Sequence, residues 1–263
     1  MVLVGCYAPH PPEGAPCAAN GACPSPLMCA AGHCERDPLP EDAFACAPIA
    51  AGAGMLTAPR IATHSLDGDL ADWPTCFVAI SAATNPSRDL DGTARFLNGK
   101  FAIARDDAHV YIAAELTGIA PLGDQPVPAI YQNNSISLYL DGDGTFDSMQ
   151  YDTDAIQIVI DHANRVQAFR NSTQVTAPGL TSAAKTTGTT FAIEVALQPS
   201  TFGRAGFAAT IGFDLGFEGG DGTVQYSEAY WFQGCAAPAC GCTNGMAAPF
   251  CDAREFGHAA LAP

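Results

Sequence analysis

YQNNSISLYLDGDGTFDSMQYDTDAIQIVI, residues Tyr131 to Ile160, is the stretch whose reading decides the fold. Ile136, Leu138 and Leu140 alternate with Ser135, Ser137 and Tyr139, the period of a strand that turns one face to a core. Ile156, Ile158 and Ile160 repeat the alternation further on. The connection between the two runs is DGDGTFD, with Asp141, Asp143 and Asp147 at offsets one, three and seven, followed by Asp152 and Asp154. Carboxylates this dense repel one another unless a cation lies among them. Ca²⁺, a hard cation that takes about six to eight oxygens, is the expected occupant.

The expected ligands are Asp141, Asp143, Asp147 and Asp152, with backbone carbonyls and water completing the shell. The spacing begins like an EF-hand loop and then departs from it. Phe146 holds the glycine position, Asp152 replaces the bidentate Glu, and the flanks alternate as strands rather than helices. The connection is therefore read as a calcium loop in a β-protein, against the simpler alternative of a solvated acidic hairpin tip.

The chain has 263 residues, enough for one large β-domain or two small ones, and only 14% are charged. Its formal net charge of −16 repels phosphate backbones and anionic membranes, so nucleic acid is not expected as a partner. No apolar run is long enough to span a bilayer.

At the N-terminus, Leu3-Val4-Gly5-Cys6 resembles the lipobox of bacterial lipoproteins. The resemblance implies acylation of Cys6 and a place in the cell envelope, lipid-anchored to the outer membrane or secreted, with the lipid as the only membrane contact. The basic region and most of the apolar region of a leader are missing before it, so the chain is expected to start late or to have been trimmed. Cysteine parity agrees: of 11 cysteines, 11 − 1 = 10 remain to pair once Cys6 is set aside. An oxidising compartment is expected.

Residues 1–16 read as residual signal, lipobox and tether, 17–36 as a small cysteine-rich segment, 37–59 as a linker and 60–263 as the main domain. Cys17, Cys23, Cys29 and Cys34 lie in a segment too short for a hydrophobic core, so two disulfides are expected, with three pairings open. The pattern resembles small cysteine-rich knots of secreted bacterial proteins. Zinc is the alternative, but the spacing lacks a CxxC pair.

In the main domain, short alternating runs are expected as strands at Phe77–Ile80, Ala94–Arg105, Val110–Leu116, Ile136–Leu140 and Ile156–Ile160. Others follow at Val166–Phe169, Phe191–Leu197, Ile211–Phe217 and Ala229–Phe232, and Ser200–Ala205 makes at most one helical turn. Gly and Asp turns between many short strands indicate an all-β antiparallel sandwich.

The ordered landmarks SLDGDLADWP (65–74), GTARFLNGKFAIARDDAHVYIAAEL (92–116), the acidic hairpin, FAIEVAL (191–197), ATIGFDL (209–215), AYW (229–231) and EFGHAAL (255–261) resemble family 9 carbohydrate-binding modules and their DOMON-like relatives. The resemblance spans roughly Ile61 to Leu261. It implies a sandwich that carries structural calcium and binds sugar; a monomer that meets the chain ends of a polysaccharide or oligosaccharide is expected. It also implies two clamping aromatics, at the places held by Tyr131 and Phe250; aromatic faces suit the C–H faces of sugars. A carboxylate and an arginine of sugar-binding members fall at Ser137 and at Ile158 or Gln157, so Asn133, Asn134 and Gln157 are taken as the substitute hydroxyl contacts. Cys46, Cys76, Cys235, Cys240, Cys242 and Cys251 could form three further disulfides around Phe250.

No catalytic motif is found: GxSxG, HExxH and Gly-rich phosphate loops are absent, and the six histidines show no ligand spacing. A pair of carboxylates could still serve a glycosidase. A non-catalytic carbohydrate-binding module is the reading taken. Its alternative is a structural or adhesive surface domain that keeps fold and calcium without sugar binding, and a haem-binding relative lacks a clear axial pair.

Overall fold

The computed structural model describes residues 15–18, 23, 27–30, 32–36, 54–81, 85, 87–90, 98–118, 120, 122–145, 150–232 and 249–262. The expectations placed on Cys6, Asp147, Cys46, Cys235, Cys240 and Cys242, and on residues 1–14 of the tether region, lie outside these residues.

The chain divides into units 1–47 and 48–263. In the first, strands β1 (Ala15–Pro16), β2 (Leu27–Ala30) and β3 (His33–Arg36) form a small sheet in the order β1-β3-β2. Cys17 pairs with Cys29 and Cys23 with Cys34, which selects one of the three open pairings and leaves no thiolate set for zinc. Such cross-links restrict the unfolded chain and take the place of a core.

The second unit holds β4 (Met55–Ala58), β5 (Val78–Ser81), β6 (Ser87–Asp89), β7 (Asn98–Arg105), β8 (Val110–Thr117), β9 (Ser135–Asp141) and β10 (Ala155–Asp161). These are followed by β11 (Val166–Arg170), β12 (Thr173–Val175), β13 (Leu180–Thr187), β14 (Thr190–Leu197), β15 (Thr210–Gly220), β16 (Gln225–Tyr230) and β17 (Gly257–Leu261). One sheet runs β12-β11-β10-β9-β15-β16-β6, with β17 on the first part of β15 and β4 parallel to β17. The other runs β13-β14-β8-β7-β5. β4 lies in the stretch read from sequence as linker, and β6, β12, β13 and β17 add to the strands expected. The 3₁₀ turn Pro199–Phe202 overlaps the start of the short helical stretch expected at Ser200–Ala205.

The two sheets form a sandwich. Ile136, Leu138, Leu140, Ile156, Ile158 and Ile160 all enter the core between them, with Phe101 meeting Phe213 at 5.7 Å between ring centroids. Fully burying such a side chain stabilises by about 1.5–3 kcal/mol. The outward faces are also covered. Every residue of β9 is buried, so its polar phase faces a second layer of side chains rather than water. This corrects the expectation that only one face of β9 is buried. The segment 249–256 contributes to that layer: Phe250, Ala253 and Phe256 pack with Tyr139, Tyr151 and Tyr230, and the Tyr151 hydroxyl donates to the Pro249 carbonyl at 2.6 Å. On the other sheet, Ile61, Leu66, Leu70 and Trp73 cover Ala102, Ala113 and Tyr111.

Candidate functional site

The outer face of the larger sheet can be built from its register. Ser135 lies opposite Glu218, and Glu218 opposite Glu228, which lies opposite Arg88 on the edge strand β6. One step along, Ser137 lies opposite Gly216 and Gly216 opposite Tyr230. Side chains alternate across a strand, so these residues share one face. Ser135 Oγ donates to Glu218 Oε2 at 3.3 Å and Ser137 Oγ donates to Glu218 Oε1. Glu228 receives the Tyr230 hydroxyl at 2.6 Å and forms an ion pair with Arg88 at 2.9 Å. The Arg88 guanidinium carbon lies 5.8 Å from the centroid of the Phe250 ring, a cation–π contact.

Burial sets the electrostatics here. Glu218 is pushed up to about 8, first by desolvation and then by the charge of Glu228, against the two serine hydrogen bonds. Glu228 is raised by desolvation and held down in part by Arg88. The face therefore carries two buried carboxyls, a guanidinium and hydroxyls, with an aromatic ring over the guanidinium. Ser135, Ser137, Glu218 and Glu228 are buried and bonded within this face, while Arg88 and Phe250 are half-buried at its edge, where a polyhydroxylated ligand can meet them.

The structure sorts the expected sugar contacts. Tyr131 is 38% exposed on the 3₁₀ turn Ile130–Gln132, which leads into β9. That turn docks on β15, where any Cβ on Gly220 would collide with the Gln132 carbonyl. Phe250 is half-buried on the same outer face, over Arg88. Gln157 is half-buried there too, 3.4 Å from Ser137 Oγ. Ile158 points into the core, so Gln157 is the outward residue of that pair.

Asn133 and Asn134 are a correction. Both are fully buried and serve the scaffold. Asn133 Oδ1 accepts from the Gln125 amide at 2.8 Å, and its Nδ2 donates to the Gln125 carbonyl and to Asp161 Oδ2, each at 2.9 Å. Asn134 Nδ2 donates to the Leu122 and Gly220 carbonyls at 3.1 and 2.9 Å. Amides spent in this way bind loop to sheet and have no donor left for a sugar.

The sequence reading missed Arg88, Glu218, Glu228 and Gln167. Gln167 is 2% exposed on the outer face, opposite Val159, and neither its Oε1 nor its Nε2 has a hydrogen-bond partner. Glu218 of β15 and Arg88 of β6 place a carboxyl and a guanidinium on the face that carries Ser137. The signal was the outward phase of Glu218 and Glu228 in their strands, which becomes useful only once strand pairing is known.

At the hairpin, Asp141, Asp143, Asp152 and Asp154 offer oxygens that all lie within 4.8 Å of one another. Asp154 was not among the expected ligands, although the Gly142 amide donates to its carbonyl across the hairpin at 3.2 Å. Asp141 is 1% exposed and pushed up to about 7, first by burial and further by Asp152 and Asp154, against amide bonds from Asp143 and Gly144. Asp154 is raised by burial above all, while Asp143 is lowered, chiefly by its Thr145 hydrogen bond. Arg204 Nη1 reaches Asp154 at 2.6 Å and Asp143 at 3.3 Å. Four carboxylates against one guanidinium leave a deficit of positive charge, and an all-oxygen donor set of this kind fits Ca²⁺.

A β-sandwich with an aromatic and hydrogen-bonding groups on the outer face of one sheet has the form of a ligand-binding module. A family profile described as carbohydrate family 9 binding domain-like matches residues 71–262, and the chain belongs to that family. Among solved structures, it is similar to a family 9 carbohydrate-binding module from Caldicellulosiruptor kristjanssonii in complex with cellotriose. That likeness has 16% identity and a TM-score of 0.56, and covers 79% of this chain and 93% of the other. The same module in complex with glucose matches with equal identity and TM-score, covering 79% and 95%. At this identity the likeness establishes the fold. No curated protein matches the chain.

Proposed function

We propose that this chain is a non-catalytic carbohydrate-binding module whose sugar site is the outer face of the larger sheet, bordered by Tyr131 and Phe250. The observation that carries the reading is the Phe250–Arg88–Glu228 arrangement, an aromatic ring over an ion pair beside Glu218 and Ser137. Aromatic area supplies affinity and the polar groups orient the hydroxyls. Family membership and the sugars held by the similar solved structures support the same reading. Gln157, half-buried on this face, is the amide assigned to the site, in place of Asn133 and Asn134.

Calcium at the acidic hairpin is part of the proposal, as a fold-stabilising ion bound by Asp141, Asp143, Asp152 and Asp154. So is an extracytoplasmic place, supported by the disulfides of the first unit and by disulfide-bonded Cys76, with anchoring through Cys6 and a monomeric state. Titration calorimetry against neutral mono- and oligosaccharides tests the sugar site. Tyr131→Ala should weaken binding roughly tenfold with an unchanged melting temperature, since an aromatic contact is worth about 0.5–1.5 kcal/mol beyond area burial. Finding no ligand, or a ligand indifferent to both Tyr131→Ala and Arg88→Ala, hands the chain to the structural or adhesive alternative.

A further inference from the structure

A second group of ligating side chains lies on the outer face of the five-stranded sheet. Glu194 of β14 points outward but is 0% exposed, because the segment carrying His64 to Trp73 folds over it. Its Oε2 accepts the backbone amides of Asp67 and Gly68 at 2.8 and 2.7 Å. Its Oε1 faces His64 Nε2 at 2.7 Å. His64 is the one ion-pair partner of Glu194 among the described residues, so this buried carboxylate has no lysine or arginine beside it. Exposed Asp72 completes the group: one atom each from His64, Asp72 and Glu194 lie within 4.8 Å of one another.

We propose that His64, Asp72 and Glu194 form a binding site for a transition dication of the zinc type. Three features of the geometry support it. First, the buried carboxylate is oriented by hydrogen bonds from outside the group, as metal ligands are, and the other two are placed by packing and a capped turn. Two amides fix Glu194 through one oxygen and leave the other turned to His64. The Trp73 ring packs edge-on to His64 at 4.9 Å, and the His64 backbone amide donates to the Tyr111 hydroxyl at 3.4 Å. Asp72 is the last residue of a 3₁₀ turn whose start is capped by Asp69.

Second, the donor set is one imidazole nitrogen and two carboxylates. Calcium prefers oxygens alone, whereas zinc-type ions take nitrogen and oxygen together at about 2.0–2.2 Å. This separates the site chemically from the all-oxygen hairpin. Third, Asp72 is exposed, which gives the ion a route in and leaves a solvent-facing coordination position. Binding replaces the His64–Glu194 hydrogen bond by two metal–ligand bonds, and the proton that bridged the two groups is released to solvent.

The test uses the full chain with Ca²⁺ held constant in excess, so that the hairpin contributes nothing to the difference. Zn²⁺ alone is titrated by calorimetry and by thermal shift, and Co²⁺ is added as a spectroscopic stand-in. The expected result is a one-to-one complex, a raised melting temperature and visible Co²⁺ bands. Asp72→Asn should weaken Zn²⁺ at least tenfold without lowering the metal-free melting temperature, because Asp72 is exposed. His64→Gln should abolish the Co²⁺ bands. No Zn²⁺ binding by the native chain, or binding that neither substitution changes, overturns the proposal. Should His64→Gln fail to fold, Asp72→Asn decides alone.

Discussion

Replacing Glu218 by Gln tests whether the outer face is as closed as its burial indicates. Glu218 is 3% exposed and takes hydrogen bonds from Ser135 and Ser137, with Glu228 across the strand pair. Its carboxyl is pushed from an ordinary 4.5 up to about 8 in the folded chain. A carboxyl raised on folding contributes stability that is complete below pH 4.5 and is lost as pH rises through 8, because the folded state holds a proton that the unfolded state releases. The span of 8 − 4.5 = 3.5 corresponds to about 5 kcal/mol, of which ~3 kcal/mol falls between pH 5 and pH 8. For a domain of this size that is a fall in melting temperature of about 6–12 °C. Gln keeps the volume and can meet both serine hydroxyls but does not titrate. Denaturant melts of native chain and Glu218→Gln, taken at pH steps from 5 to 8.5, should therefore diverge, the variant gaining stability relative to native chain as pH rises. Asp214, also raised by burial, remains in both chains and cancels in the comparison. Parallel curves would show that water or a cation reaches Glu218, and the closed, protonated carboxyl would have to be given up.

Asn133→Ala should destabilise by about 2–3 kcal/mol, since it leaves the Gln125 amide and carbonyl without their side-chain partners; sugar affinity measured below the melting transition should not change. For the hairpin, chelation with EDTA should lower the melting temperature in native chain and leave Asp141→Asn indifferent, because an ion bound only by the folded state stabilises by mass action. Equal melting curves in Ca²⁺ and EDTA would assign the hairpin charge to Arg204 alone.

The core of the sandwich was legible because alternation survives wherever large aliphatics face inward. Ile136, Leu138 and Leu140 announce β9, and Ile156, Ile158 and Ile160 announce β10. The strand Leu180–Thr187 was not, since LTSAAKTT pairs on one side only and carries small or hydroxylated residues where an inner strand would carry Ile or Val. Ser87–Asp89 and Thr173–Val175 are three-residue edges with no room for a periodic signal. Neither is visible before its neighbours are placed.

The site was harder to read for a different reason. Residue types that meet water and those that meet a ligand are the same, so Ser137, Tyr139, Glu218 and Glu228 look like an ordinary solvated face in the sequence. What removes them from water is a segment far along the chain, residues 249–256, whose Phe250 and Phe256 pack in one cluster with Tyr139 and Tyr230. Asn133 and Asn134 show the converse. Two polar residues beside an exposed tyrosine suggest a contact surface, yet backbone carbonyls of Leu122, Gln125 and Gly220 consume their donors. Arg88 combines both effects: it lies on a three-residue edge strand, and its importance comes from a glutamate and a phenylalanine that strand pairing and the closing turn bring to it. Local chemistry in this chain therefore identifies candidate groups, while the long-range register decides which of them a sugar can meet.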